Sequence, residues 1–321
     1  MKKNNPYLEI TKPRITFLVL LSTAVGFFAG VADWNSNPFS KTYLETLFSA
    51  QESGFLENLG GLAKFWPRFL FLLVGTGLAS AAGSVFNNIL DRDMDVLMER
   101  TKERAMPKRK IKVQDAFFYG SFLLFSGFFI LYHYCNPLSA WLVFLAVFLY
   151  VVVYTFILKR KTSFCTVLGG VPGALPPLVG YAAAVNTLGA TTGVALLIFY
   201  VMFFWQPPHF WALALMYKDD YKKTVFKMLP ALSDEASTKK QIIIYTILMV
   251  LCTLVLVIEK VNFTAISFLL LAATAFYLQQ TIVLCSPKTK SSMGKKLFKT
   301  SVLFMSLFMI LLLVEFSLLT F

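Results

Sequence analysis

The chain has 321 residues, of which 57% are hydrophobic and 15% charged, with a formal net charge of +13. Soluble domains carry about 25% charged residues, so this composition excludes an ordinary soluble domain and marks an integral membrane protein. It also excludes nucleic acid as a partner, because the basic residues sit in short connections and form no solvated basic domain.

Nine apolar stretches are long enough to cross a bilayer, a crossing that takes about 20 residues. They cover approximately 15–31, 66–88, 115–134, 138–158, 164–185, 190–210, 241–258, 263–284 and 300–319. The expected fold is all-α: a polytopic membrane protein, a single domain over 1–321, with its helices around a central cavity. The segment MKKNNPYLEITKPR precedes the first stretch and no small-residue cleavage site follows, so that stretch is expected to stay as a permanent helix. The 32–65 connection, with Trp34, Asn35, Pro38 and several acids, reads as a surface loop with short helical pieces.

The N-terminus and the connections 89–114, 159–163, 211–240 and 285–299 hold 26 of the 30 Lys and Arg residues. The positive-inside rule puts these segments in the cytoplasm, or a mitochondrial matrix, and the C-terminus outside. The excess charge is then topology signal and contact with anionic membrane lipid. Cys135, Cys165, Cys252 and Cys285 are scattered without metal-binding spacing and read as small apolar fillers.

At the inner end of the second stretch stand Asn87, Asp91 and Asp95. A spacing of four puts all three on one helix face. Carboxylates so close to hydrocarbon are expensive and usually face a cavity and hold a cation. Arg100, Lys102 and Arg104 follow, and a hard cation beside basic side chains is what a diphosphate needs.

After the sixth stretch the chain reads WQPPHFWALALMYKDDYKK. Pro207 and Pro208 are expected to interrupt that helix and free carbonyls near Gln206 and His209. His209 is either a helix-interface histidine or a substrate contact; Trp205, Phe210 and Trp211 either pack or wall a pocket. Asp219 and Asp220 lie on the same membrane face as Asp91 and Asp95, so the four carboxylates are candidates to hold Mg²⁺. The glycines and prolines of GGVPGALPPLVG, in the fifth stretch, permit close approach to a neighbouring helix or to a flat ligand. The two long loops recur four spans apart, which suggests two four-helix halves, about 15–158 and 164–284, plus a ninth helix at 300–319.

Taken together, these motifs resemble the UbiA-type intramembrane prenyltransferases. NNILDRDMD with Glu99–Lys102 is similar to their first aspartate-rich motif. TKPRIT, YTFILKRKT, GGVPGALPPLVGYAAA, WQPPHFWALA, KDDY and KKLFKTS resemble one branch, the protohaem IX farnesyltransferases. The likeness runs from end to end except over 32–65. It implies transfer of a farnesyl group from farnesyl diphosphate to a vinyl group of haem b, with addition of water, giving haem O and diphosphate. It implies Mg²⁺ as cofactor, with Asn87, Asp91, Asp95, Asp219 and Asp220 as ligands. Lys12, Arg14, Arg100, Arg104, Lys159 and Arg160 match basic positions that grip diphosphate or haem propionates, and Asn88, Gln206, His209 and Tyr221 fall among the implied substrate contacts. It further implies the bacterial cytoplasmic (inner) membrane, an active site on the cytoplasmic face, and haem A synthase or a terminal oxidase as partners. Ala105 stands where the family more often has Pro, and a Gly common near Val225 is missing; both departures lie in loops. The competing functions are an aromatic-ring prenyltransferase of quinone biosynthesis, a membrane transporter and an assembly factor. Transporters place charge near the bilayer midplane, whereas the acids here gather at one face.

Overall fold

Asn5 accepts a hydrogen bond from the Tyr7 amide and Pro6 takes the first helical position, so the chain opens with a short helix, α1 (Pro6–Ile10). The computed structural model describes residues 5–36, 61–189, 192–261, 264–286 and 293–320; most of the expected 32–65 surface loop lies outside them. Among the described residues all regular structure is helical, and nine helices are long and apolar enough to cross a membrane. They are α2 (Pro13–Ser36), α3 (Gly61–Asp95), α4 (Val113–Tyr134), α5 (Pro137–Lys161), α6 (Cys165–Val185), α7 (Gly193–Met216), α10 (Glu235–Lys260), α11 (Ala265–Cys285) and α12 (Met293–Thr320). Two short helices, α8 (Lys218–Lys222) and α9 (Leu229–Leu232), lie between α7 and α10.

Several helices outrun the apolar stretches that announced them. Helix α3 continues past 88 to Asp95 and α7 continues past 210 to Met216, so both long basic loops begin as helix. Hydropathy marks where hydrocarbon ends, but helix-forming polar residues carry the backbone bonds further. The N-cap side chain of Asp234 accepts from the Ser237 amide at 2.9 Å and starts α10 ahead of its apolar run.

The break expected at Pro207–Pro208 does not occur. Helix α7 runs through both prolines, packed inside the bundle between buried Trp205 and Trp211. The interruption is in α6 instead, which divides into Cys165–Leu168, Gly170–Ala174 and Pro176–Val185. Its prolines remove amide donors at three points, and each piece restarts on one of them or on a glycine. Helix α5 departs from the α form in another way: Leu149–Leu158 winds as a π-helix, with the Thr155 hydroxyl donating to the Tyr150 carbonyl at 2.8 Å.

Glycine lets α2 and α6 cross almost backbone to backbone. A Cβ on Gly180 would stand 1.9 Å from the Thr23 carbonyl oxygen, and one on Gly26 1.9 Å from that of Pro177. Gly180 therefore serves helix packing, the first of the two roles open for its stretch, and Gly26 answers it from α2. Along α10 and α11, Thr246, Thr253, Thr274 and Thr281 are buried and each returns its hydroxyl to the carbonyl four residues earlier, so small polar side chains enter the apolar interior already satisfied. Phe118, Leu303 and Leu318 are among many exposed apolar side chains, as a lipid-facing surface requires.

Candidate functional site

The site grows from the last turns of α3. Asn87, Asp91 and Asp95 share one face and are all buried. Asn87 Nδ2 donates to Asp91 Oδ2 at 2.9 Å and to Thr155 Oγ1 at 3.2 Å. Thr155 comes from the π-helical part of α5, which also delivers Lys159: its Nζ lies 2.6 Å from Asp91 Oδ2. The Lys159 ammonium also stands 3.8 Å from the centre of the Phe226 ring, a cation–π contact. From the N-terminal side, Lys12 Nζ donates to Asn87 Oδ1 at 2.7 Å. Lys12 has φ +50°, a left-handed conformation that side chains disfavour and that is commonly held at functional sites.

The loop after α3 folds back over this face. Thr101 Oγ1 donates to the Asp95 carbonyl at 3.0 Å and Arg104 Nη1 meets Asp95 Oδ2 at 3.1 Å. Arg100 reaches the other loop: Nη2 is 3.5 Å from the Tyr221 hydroxyl and the guanidinium lies 5.1 Å over the Tyr217 ring. The Lys227 amide donates to the Lys159 carbonyl at 2.8 Å, and Met98, Cys165, Tyr221, Phe226 and Met228 form one buried apolar cluster. The loops that follow α3 and α7 are thus packed into one cap, on the membrane face where the acids sit.

The positive charge here is strained as well as gathered. Burial pushes the Lys12 ammonium down to about 7 from its usual value, and the nearby Arg104 guanidinium adds to the effect, against the pull of Asp91. An anion placed among Lys12, Arg104 and Lys159 would relieve that repulsion.

Asp220 is buried, with Lys223 at 3.5 Å from its Oδ1. Asp219 beside it is turned to solvent, its side chain 89% exposed; consecutive helical residues cannot face the same way. Among the described residues no group of three or more His, Cys, Asp or Glu side chains converges, so the five-ligand set does not stand preassembled. Asp91 Oδ1 and Asp220 Oδ2 are nevertheless buried without a partner. Such an oxygen is costly, and a hard cation that takes one or two carboxylates, water and substrate phosphate would satisfy it. The residues present fit Mg²⁺ on that test.

Other sequence candidates are placed elsewhere. Asn88 spends its amide hydrogens on the backbone, donating to Ile10 O at 3.1 Å and Ser84 O at 2.8 Å. Arg160 Nη2 donates to the Leu90 carbonyl at 2.8 Å, and Arg14 is exposed. Gln206 Nε2 donates to Gly170 O at 2.9 Å across the break in α6. His209 is stacked between Trp205 and Phe298, at 4.7 and 4.6 Å between ring centres, with Nδ1 2.7 Å from Ser301 Oγ. These contacts tie α7 to α12 and leave the imidazole in the helix-interface role. Thr155, Phe226 and Tyr217 were not singled out from sequence; Thr155 stands four residues before Lys159, the one signal that pointed to it.

Comparison with known proteins gives a consistent picture. Residues 59–313 match the model of the UbiA prenyltransferase family. A protein of Francisella tularensis subsp. holarctica named protoheme IX farnesyltransferase is 35% identical over 298 residues, covering 92% of this chain and 95% of that one. One of the same name from Gloeobacter violaceus is 38% identical over 252 residues, covering 78% and 72%. Among solved structures, a digeranylgeranylglyceryl phosphate synthase superposes with a TM-score of 0.68 at 15% identity over 98% of this chain and 99% of that one. A UbiA homologue from Archaeoglobus fulgidus bound to DMAPP and Mg²⁺ gives 0.63 at 16%, over 96% and 99%.

Proposed function

The chain belongs to the UbiA prenyltransferase family and is a membrane-embedded prenyltransferase, and from that premise we propose that it transfers a farnesyl group from farnesyl diphosphate to a vinyl group of haem b, with addition of water, to give haem O and diphosphate. The observation that carries this reading is the convergence of Lys12, Arg104 and Lys159 on the Asn87–Asp91–Asp95 face. The choice of haem as acceptor is supported by the end-to-end likeness to relatives named protoheme IX farnesyltransferase.

An allylic diphosphate reacts by losing diphosphate and leaving a delocalised carbocation. The barrier falls when preorganised positive charge meets the negative charge that builds on the leaving group. In this chain Lys12, Arg104 and Lys159 supply that charge, and Arg100 extends it toward the second loop. Asn87 orients the set, holding Lys12 on its oxygen and Asp91 on its nitrogen. Asp91 and Asp220, with Asn87 and Asp95, would hold Mg²⁺, which when bound adds further charge neutralisation at the diphosphate. The farnesyl chain belongs among the apolar helices, and the haem propionates belong at the basic cap. No protein nucleophile is required. The distribution of Lys and Arg supports a cap on the cytoplasmic or matrix face, and the likeness to bacterial relatives supports a bacterial inner membrane, where haem A synthase or a terminal oxidase would take the product.

The test is a product assay. Membranes containing the chain are incubated with haem b, farnesyl diphosphate and Mg²⁺, with and without chelator, and pigment mass is read. A chelator-sensitive pigment heavier by one farnesyl group plus water is expected. Unchanged haem from folded protein, with a prenylated aromatic acceptor in parallel, would move the assignment to quinone-type chemistry.

A further inference from the structure

Helix α1 has five residues, far too few to be stable alone, since isolated helices shorter than about 12–15 residues are marginal in water. It is held from outside. Asn88 Nδ2 donates to the Ile10 carbonyl at 3.1 Å. Glu9 Oε1 accepts from the Ala105 amide at 2.9 Å. Ile10 is buried against Ala105, Met106 and Ile111, and the Tyr7 ring meets Tyr119 edge-on at 5.3 Å. Past this anchored turn the Thr11 hydroxyl donates to Leu8 O at 2.8 Å, and the chain passes through Lys12 at φ +50° into Pro13.

We propose that Glu9 and Asn88 are positioning residues: they clamp α1 so that the strained Lys12 presents its ammonium to the diphosphate of the prenyl donor. Glu9 also fixes Ala105, the neighbour of Arg104, so a single carboxylate sets the placement of two cations, one at Asn87 and one at Asp95. Asn88 has a chemical reason to be an amide here. A carboxylate in its place has no hydrogen to donate and would set its oxygens against the carbonyls of Ile10 and Ser84. Lys12 must grip diphosphate, as proposed above, for the clamp to be felt in ligand affinity.

The experiment uses the full chain in lipid nanodiscs with Mg²⁺. It reads farnesyl diphosphate affinity by calorimetry and amide hydrogen exchange over residues 5–12. Losing a hydrogen bond to a charged group and freeing the segment should weaken farnesyl diphosphate binding about tenfold in Glu9→Ala, with exchange in 5–12 faster by a similar factor. Glu9→Gln keeps an acceptor for Ala105 and should restore both readouts; Asn88→Asp should behave as Glu9→Ala. Faster exchange with unchanged affinity, weaker affinity with unchanged exchange, or failure of Glu9→Gln to rescue would overturn the clamp. Binding of the donor needs no acceptor, so a failed haem assay leaves this test intact. If the unaltered chain does not bind farnesyl diphosphate at all, the functional reading falls, and the clamp falls with it.

Discussion

Replacing Asp91 by Asn separates what the buried pair does for the fold from what it does for chemistry. Asp91 and Lys159 lie 2.6 Å apart with side chains 6% and 11% exposed, so neither partner has water to fall back on. Breaking a buried ion pair by removing one charge costs about 3–5 kcal/mol, most of it the penalty of the stranded partner. Asp91→Asn strands the ammonium, whose remaining contacts include the Phe226 ring at 3.8 Å. Lys159→Met strands the carboxylate, which keeps the 2.9 Å hydrogen bond from Asn87. The second loss should be the milder, near the bottom of that range. The double variant Asp91→Asn/Lys159→Met strands nothing, so its destabilisation should fall short of the sum by roughly 2 kcal/mol or more. Denaturant unfolding in detergent micelles reads these values. Activity should behave oppositely: Lys159→Met removes positive charge aimed at the leaving diphosphate and Asp91→Asn removes a proposed Mg²⁺ ligand. Each should cost about 10²–10³ in kcat, and the double variant should recover none of it. Additive stability losses would refute the buried pair. Recovered turnover in the double variant would show that the pair is a strut and not part of the catalytic charge.

Because the Lys12 ammonium is pushed down to about 7 and only its protonated form attracts diphosphate, kcat/KM for farnesyl diphosphate should be highest below that pH and decline above it, by at most about tenfold per pH unit. Lys12→Arg, always charged, should flatten that alkaline limb; a limb that persists unchanged would remove Lys12 from donor binding. Asp220→Asn should cost at least about tenfold more activity than Asp219→Asn, because Asp220 is buried and Asp219 is solvent-facing; equal losses in a steady-state assay would contradict that division. Gly180→Ala forces a Cβ to within 1.9 Å of the Thr23 carbonyl oxygen. It should destabilise the chain by more than about 2 kcal/mol, seen as lost micelle-purified protein or a lowered unfolding midpoint; a stable variant would mean that α2 and α6 cross less closely.

Much of the fold was legible in the sequence because membrane physics writes it plainly. Apolar runs of bilayer length located the nine spans, and the four-residue spacing of Asn87, Asp91 and Asp95 is reproduced as one buried face. What sequence did not reveal was how far each helix outruns its apolar stretch, since hydropathy reports hydrocarbon and not backbone bonding. The prolines misled in α7, which runs on unbroken, while the interruption fell in α6, because whether Pro breaks a helix depends on what packs around it. Asn88 shows the limit for the site: next in sequence to Asn87, it lies about 100° around the helix, and its amide serves α1. Asp219 and Asp220 part for the same reason.

The π-helical winding of Leu149–Leu158 has a consequence for natural or engineered length variation. A π-helix holds more residues per turn than an α-helix, so the stretch behaves like an α-helix that absorbed an extra residue without shifting its flanks. Deleting one residue there would let α5 relax to ordinary winding and improve its backbone bonds. Because the wide turn had absorbed that residue, the flanks would keep their register, and Lys159 would still reach Asp91 and keep its backbone bond to Lys227. What a shorter chain of this kind would lose is the placement of Thr155, whose hydroxyl donates to Tyr150 O and accepts from Asn87. The winding, more than the length of the segment, is what keeps the helix in register with its site.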